Sequence, residues 1–554
     1  MSLPKKMTIK ESIIPLQLLV AIIPFFTGVF YEWQSALLSV AIMVIAIVEL
    51  IRNRKIEINS GLPLLFTVIL VVAHIFTAIF AVDRGMVWLG VIKYLPLPLF
   101  VIAACGKKDL LRFVPLSGAV MTVLSAALSW ISAFKGHMIV SGRLAGFFEY
   151  PNTFAMFLLV CLILVLFKQE IKVSDWTLAV IFLAGIALSG SKAVIILTAI
   201  TAIVFVVWIK DKKIKLFSLI AFALLSAGAG VYIAAKMNHI PNLSTFYGRL
   251  LYFSDALPII LKHPFGLGYY GYYYSQGSFQ TGVYSVLHIH NDFLQIMLDC
   301  GWIPAVIAVV MVVKAFIRAD FRAKVLLLMM VLHLLFDFDM QFITMSIIFM
   351  AVVINSTDSK IKLIKYNKVF APAVVLASIL AVVSFYFGTA SFFNYIKDYS
   401  QAVKIYPAYT EAQSVLLMNS STNEEMDSIA DSILKLNPDH ALANDAKARI
   451  AFSNGDIVSM IGYKDKVIKY NKYELTEYLD YFDMLSYAIS MYVNAGDFDS
   501  AQFCIDRCLK LEAEMKTVKL RTSQLGMMID DQPDLEFPKE YSDYIVLLQN
   551  SEFN

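Results

Sequence analysis

Long stretches without any charge constrain this chain more than anything else in it. Leu178–Ala187 and Ala193–Ile209 carry no ionisable side chain. Such runs belong in lipid, where a spanning helix needs about 20 apolar residues. The composition agrees: 59% of the 554 residues are hydrophobic, against about 45–50% in soluble domains. The sequence predicts an all-α protein, with a polytopic membrane helix bundle over residues 1–390 and a soluble α-helical domain over 391–554. Thirteen candidate spans lie near 13–31, 33–51, 62–82, 86–104, 113–133, 151–168, 175–189, 192–209, 215–235, 286–313, 324–337, 341–355 and 369–388. The basic tail before the first run lacks a small-residue cleavage site after it and reads as cytoplasmic. The five cysteines show no zinc or disulfide spacing.

Charge orders these spans. With the N-terminus cytoplasmic, the inner loops collect Arg52, Arg54 and Lys55; Lys107, Lys108 and Arg112; Lys168 and Lys172; Lys210, Lys212, Lys213 and Lys215; Lys314, Arg318, Arg322 and Lys324; and Lys360, Lys362, Lys365 and Lys368. The outer loops hold only Arg84, Lys135, Arg143, Lys192, Lys236, Arg249 and Lys262. This is the positive-inside asymmetry, and it puts residues 391–554 on the extracytoplasmic side. The segment 236–287 becomes an outer loop of a length usually reserved for function.

Beyond residue 391 the composition turns soluble and helical. "VKIYPAY", "LKLNPDH" and "IKYNKYE" recur, with Pro407 to Pro438 spaced by 31 residues and Asn437 to Asn471 by 34. "FSNGD" and "VNAGDFDSA" look like tight turns between paired helices. A period near 34 resembles tetratricopeptide repeats, against an irregular bundle as the plainer alternative. Repeats of this kind build concave surfaces that hold a protein partner or a growing chain.

Outer loops poor in cations make the remaining ones informative. Arg143 lies in "SGRLAGFFEYPNTFA", Lys192 in "LSGSKAV", Arg249 in "TFYGRLLYFSDAL", and His288, His290 and Asn291 in "LHIHNDFLQ". All are expected on one face. Together they suit an anionic ligand, since arginine presents a fork of donors matched to phosphate oxygens. Each has a plainer reading alone: Arg143 snorkelling to headgroups, Lys192 anchoring at the interface, Asn291 capping a helix. If the segment is already helical at His288, two residues put it about 200° from His290. His263, in "HPFGLG", reads as structural. Tyr269, Tyr270, Tyr272, Tyr273 and Tyr274 fit either a sugar-stacking surface or an interfacial belt. Lys93, inside a span, is a functional candidate or a snorkelling end residue. Asp337 and Asp339, in "DFD", have the spacing of a metal-binding acid pair, or orient a basic residue instead.

The ordered set "GRLAGFFEYPNTFA", "LSGSKAV", "GRLLYFSDALPIILKHPFGLGYYGY" and "HIHNDFLQIMLDCGW" resembles the O-antigen ligase and O-antigen polymerase superfamily over roughly residues 10–355. The resemblance implies a GT-C-type glycosyltransferase of the bacterial inner membrane. It implies transfer from an undecaprenyl-pyrophosphate-linked glycan to a hydroxyl on a glycan, lipid or protein, with no cofactor and no metal. His290 then matches the essential histidine and Arg249 the loop arginine, with Arg143, Lys192, Asn291 and His288 binding substrate. Lys192 stands where the family has arginine. Membrane lipids and a protein held by the C-terminal repeats are the expected further partners; nucleic acid is not. A flippase of the same lipid-linked glycan and a protein O-oligosaccharyltransferase are the alternatives. Key charges at one face, with no repeat in the membrane part, count against the flippase.

Overall fold

The computed structural model describes residues 9–59, 61–212, 215, 243–357 and 361–550. The expected span at 215–235, after its first residue, and the start of the long outer segment at 236–242 lie outside the described residues. Nearly every element is a helix; two short antiparallel pairs are the strands among the described residues. The chain divides into two compact units. The first takes Met1–Phe76, Trp88–Pro241 and His290–Phe392; the second takes Thr77–Val87, Asn242–Ile289 and Phe393–Asn554.

In the first unit, helices occupy the apolar runs. Glu32–Asn53 and Tyr366–Tyr395, 22 and 30 residues long, are long and apolar enough to cross a bilayer. Among the described residues, eight further apolar helices of 10–17 residues include Leu62–Thr77, Pro151–Leu166, Val173–Ser189 and Lys192–Trp208. Pro151–Leu166 is the core helix: every residue from Thr153 to Val165 is buried. That explains its lack of a polar face, since an all-round apolar helix needs neighbours on every side. The strand Lys55–Asn59 pairs antiparallel with Ile361–Lys365, from Lys55 opposite Lys365 to Asn59 opposite Ile361. Both strands come from loops expected on the inner side.

The span expected at 286–313 is not one helix. Residues 286–291 are irregular; Asp292–Cys300 and Trp302–Arg318 follow, broken at Gly301. Gly301 sits at φ 83, ψ −170, a region open essentially to glycine alone. The run reads as continuous because its apolar side chains persist across the break. The span expected at 86–104 likewise divides into Val87–Tyr94 and Pro96–Ala103, where Pro96 lacks a backbone donor.

The second unit contains the helices Ser244–Lys262 and Gly271–Phe279 of the long outer segment, together with the C-terminal helices from Tyr399–Ile405 to Lys539–Gln549. The three recurring motifs adopt one geometry. Tyr406, Asn437 and Asn471 each follow a helix end, and their backbone amides donate to Ala402, Ile433 and Val467. Their carbonyls then accept from Tyr409, His440 and Glu474, three residues on. "FSNGD" and "VNAGD" each end one helix and lead into the next, with Gly455 and Gly496 at φ 74 and 73. The short loop Thr77–Val87 is docked among these helices by Asp83. Its Oδ1 accepts from Gly85 N at 2.8 Å, Met86 N at 3.2 Å and Thr410 Oγ1 at 2.9 Å. Leu267 O accepts from Val82 N at 2.9 Å. Gly268 lies so close that a Cβ there would come 2.5 Å from Ala81 Cβ.

Candidate active site

Arg143 is presented by a tight hairpin. Ile139 pairs with Leu144 and Val140 with Arg143. The two turn residues, Ser141 and Gly142, have φ of 51 and 72, the signature of a type I′ turn. The guanidinium is held at two points. Its Nε donates to Ser189 O at 2.7 Å and its Nη2 to Asn152 Oδ1 at 2.6 Å. Ser189 ends the helix Val173–Ser189, so Arg143 takes one of the carbonyls that a helix leaves open at its C-terminus. Three residues later Lys192, exposed, begins the next helix. Arg143 and Lys192 thus attend the same "LSGSK" turn.

From Arg143 a chain of contacts leads to His290. Asn152 Nδ2 donates to Asp337 Oδ2 at 2.8 Å, and Tyr150 OH to Asp337 Oδ1 at 2.8 Å. The Tyr150 ring lies 4.7 Å from that of Phe338, and Phe338 meets the His290 ring edge-on at 4.9 Å and 89°. Asp337 is buried, while Arg143, Asn152, Tyr150 and His290 are half-buried. Residues 147 positions apart in sequence therefore join one network through the two-residue hub Asp337–Phe338. His290 holds φ 59, a left-handed conformation uncommon outside glycine, which histidine, asparagine and aspartate adopt more readily than other residues.

The residues that follow it hydrogen-bond within the fold. Asn291 caps Asp292–Cys300, its Oδ1 accepting from Leu294 N at 3.0 Å, and its Nδ2 donates to Leu335 O at 2.9 Å. Asp292 Oδ2 accepts from Met340 N at 2.9 Å. Asp339, the second acid of "DFD", accepts from Thr153 Oγ1 at 2.6 Å and pairs with His333 Nδ1. The two acids thus face different partners, and each orients a polar or basic group.

Arg249 and His288 belong to the second unit. Arg249 is half-buried on Ser244–Lys262, beside Tyr252. His288 is buried, its ring 6.2 Å from Tyr270, which stacks on Tyr269 at 4.4 Å. Tyr269 and Tyr272 are buried and Tyr273 exposed, so part of the tyrosine run is core. His263 is exposed, and its carbonyl accepts from Gly266 N to close a turn.

The comparison with known families settles on part of this arrangement. Residues 177–309 match the O-antigen ligase family. The O-antigen ligase match takes in Lys192, Arg249, His288, His290 and Asn291; Arg143 and Asp337 lie outside it. No curated protein and no solved structure matches the chain.

Several residues of this network carry no recognisable motif. Asn152 and Tyr150 stand in the quoted "EYPN" without a role assigned to them, and Phe338 and His333 carry no sequence signal. Lys93 is buried against Phe30, donating to its carbonyl with the ammonium 4.4 Å from its ring. Asp445, Glu477 and Asp480 form an acidic cluster in the second unit. The buried Lys464 ammonium already fills it, 2.5 Å from Asp445 and 2.5 Å from Asp480.

Proposed function

We propose that this chain is a glycosyltransferase at the outer face of the bacterial inner membrane. It transfers or polymerises a glycan from an undecaprenyl-pyrophosphate carrier onto an acceptor hydroxyl during surface polysaccharide assembly. The observation that carries the proposal is the network joining Arg143 to His290 through Asn152, Asp337, Tyr150 and Phe338. It gathers a cation and a titratable imidazole, and the O-antigen ligase match covers the imidazole side.

The chemistry needs both. The bond from the anomeric carbon to the donor phosphate breaks, and a bond from that carbon to the acceptor oxygen forms. Charge grows on the departing pyrophosphate, so fixed cations there lower the barrier. Arg143, Lys192 and Arg249 are assigned to it. Arg143 is held from two sides, so little reorganisation is needed when charge develops. The acceptor hydroxyl gives its proton to His290, since an imidazole is the side chain suited to general-base work near neutrality. Asn291, with both ends of its amide engaged, is assigned to fixing the backbone at His290.

Topology follows the same reading. About thirteen spans place the N-terminus inside and residues 391–554 outside. The grouping of Thr77–Val87 and the outer segment 243–289 with the C-terminal helices supports this, because all three are expected on one side. So does the pairing of Lys55–Asn59 with Ile361–Lys365, both from expected inner loops. The C-terminal helices are assigned to tetratricopeptide-like repeats that hold a protein or glycan.

The test is direct. Purified protein is incubated with a polyprenyl-pyrophosphate oligosaccharide and candidate acceptors, and products are sized. A ladder identifies a polymerase, and a single transfer to a distinct acceptor a ligase. Turnover undiminished in His290→Ala overturns the assignment, as does a product-free reaction in which vesicles show the donor crossing the bilayer.

A further inference from the structure

The helix that carries Arg249 is gripped from two directions at one residue, Thr281. From the helix itself, Asp255 Oδ2 accepts from Thr281 N at 2.8 Å and Oδ1 from Thr281 Oγ1 at 2.7 Å. Asp255 also accepts from Tyr284 OH at 3.1 Å. From the far end of the chain, Ser523 N donates to Thr281 O at 2.8 Å. The polar backbone and side-chain groups of Thr281 are therefore all engaged, between Ser244–Lys262 and the segment around Gly526–Met528.

The approach is close. A Cβ on Gly526 would fall 2.6 Å from Thr281 O, and one on Gly282 would fall 2.7 Å from Gly526 Cα. Only a pair of glycines lets these backbones meet. The contact continues along the arginine helix, where Asp530 N donates to Ser244 Oγ at 2.7 Å. Ile529 packs with Leu251 and Tyr284 in one apolar cluster. Arg249 lies between these two anchor points, five residues after Ser244 and two before Leu251.

We propose that the segment Ser523–Asp530 is a clasp that positions Arg249, acting through Thr281 and Asp255. The C-terminal region is thereby part of the catalytic apparatus rather than a detachable recruiting module. This rests on the assignment of Arg249 to the donor pyrophosphate. Ser523, Gly526, Thr281 and Asp255 are positioning residues: they set the place of a cation without touching substrate.

A double-mutant cycle in the full-length protein separates positioning from general support. Donor turnover per folded molecule is measured for Gly526→Val, Arg249→Lys and the pair, with folded protein quantified by size exclusion in detergent. Gly526→Val is expected to lower turnover by about 10- to 100-fold, the range for misplacing a positioned group, and to add little once Arg249 is already lysine. Thr281→Val, nearly isosteric, supplies the second arm where Gly526→Val does not fold. It removes the hydroxyl bond to Asp255 and is expected to lower turnover, whereas Thr281→Ser restores it. Equal losses from Gly526→Val or Thr281→Val in both Arg249 backgrounds overturn the clasp, as does unchanged turnover in both variants. If Arg249→Lys and Arg249→Ala both keep full turnover while His290→Ala is inactive, the assignment of Arg249 fails and takes the clasp's role with it.

Discussion

A carboxylate buried away from any cation is costly to ionise, and Asp83 is such a group. Burial raises its pKa to about 6, despite hydrogen bonds from Thr410, Asn437, Gly85 and Met86 that favour the anion. His440 behaves in the opposite sense: burial lowers its pKa to about 4. Both act on Tyr274, whose ring is 5.2 Å from His440 and whose hydroxyl burial, with Asp83, makes harder to ionise. The signs oppose. Asp83 takes up its proton more readily in the folded state, so its contribution is full at low pH and is lost as pH rises through about 6. His440 refuses a proton that the unfolded chain accepts, so its contribution is lost as pH falls from about 6.5 toward 4. Each displacement is worth roughly 3 kcal/mol, and together they nearly cancel. Hydrogen-exchange protection in Thr410–Leu436 should therefore change little between pH 7 and 4.5 in the native chain. Asp83→Asn should make it fall on acidification, and His440→Gln should make it rise. Parallel pH profiles in the two variants would refute the offset. Neither group is legible in the sequence: a lone Asp in a short loop and a lone His after "NPD" look solvated, and only packing buries them. Arg143 and His290 stand out earlier because cations and imidazoles are scarce in the expected outer loops. Their link through Asp337 is invisible in sequence, since Asn152 and Asp337 are 185 residues apart.

Among the elements, the apolar runs announce their helices well, because an uncharged stretch has few other uses. Breaks inside the runs are harder to see. In "MLDCGWIP" one acid, Asp299, and one glycine are little warning within a long apolar run, yet Gly301 turns the chain through φ 83, ψ −170 between two helices. A side chain at that position is strained by about 1–3 kcal/mol. Gly301→Ala should lower the thermal midpoint of the detergent-solubilised protein by several degrees, and Gly142→Ala, on the open turn before Arg143, should do so less. Equal shifts would show that the break at Gly301 is not a special requirement. The recurring "YP", "NP" and "YN" motifs are readable for a different reason: each marks the same amide-to-carbonyl turn after a helix, so a local signal reports a local geometry.

At the scale of the molecule, topology becomes an arithmetic of sides. Cysteines placed at Lys55 and Leu363 should resist a membrane-impermeant maleimide in intact cells, and those at Asn454 and Gly496 should react. Reaction of the first pair from outside would reverse the orientation. The five native cysteines are buried and should contribute little background. What sequence reading leaves out at this scale is the composition of the second unit, drawn from residues 77–87, 242–289 and 393–554. A loop's partners across several hundred residues leave no periodic trace.

That discontinuity has a consequence for biogenesis. Asp83 waits for Asn437, and Thr281 waits for Ser523, 242 residues later. Chains grow at about 5–20 residues per second, so the Arg249 helix spends roughly ten seconds or more without its final partner. Throughout that interval its apolar flank at Leu251 lacks the cover of Ile529, and the Thr281 carbonyl lacks its donor. A premature stop anywhere before the clasp leaves this flank uncovered, giving the cell's quality control a place to tell a finished chain from a truncated one.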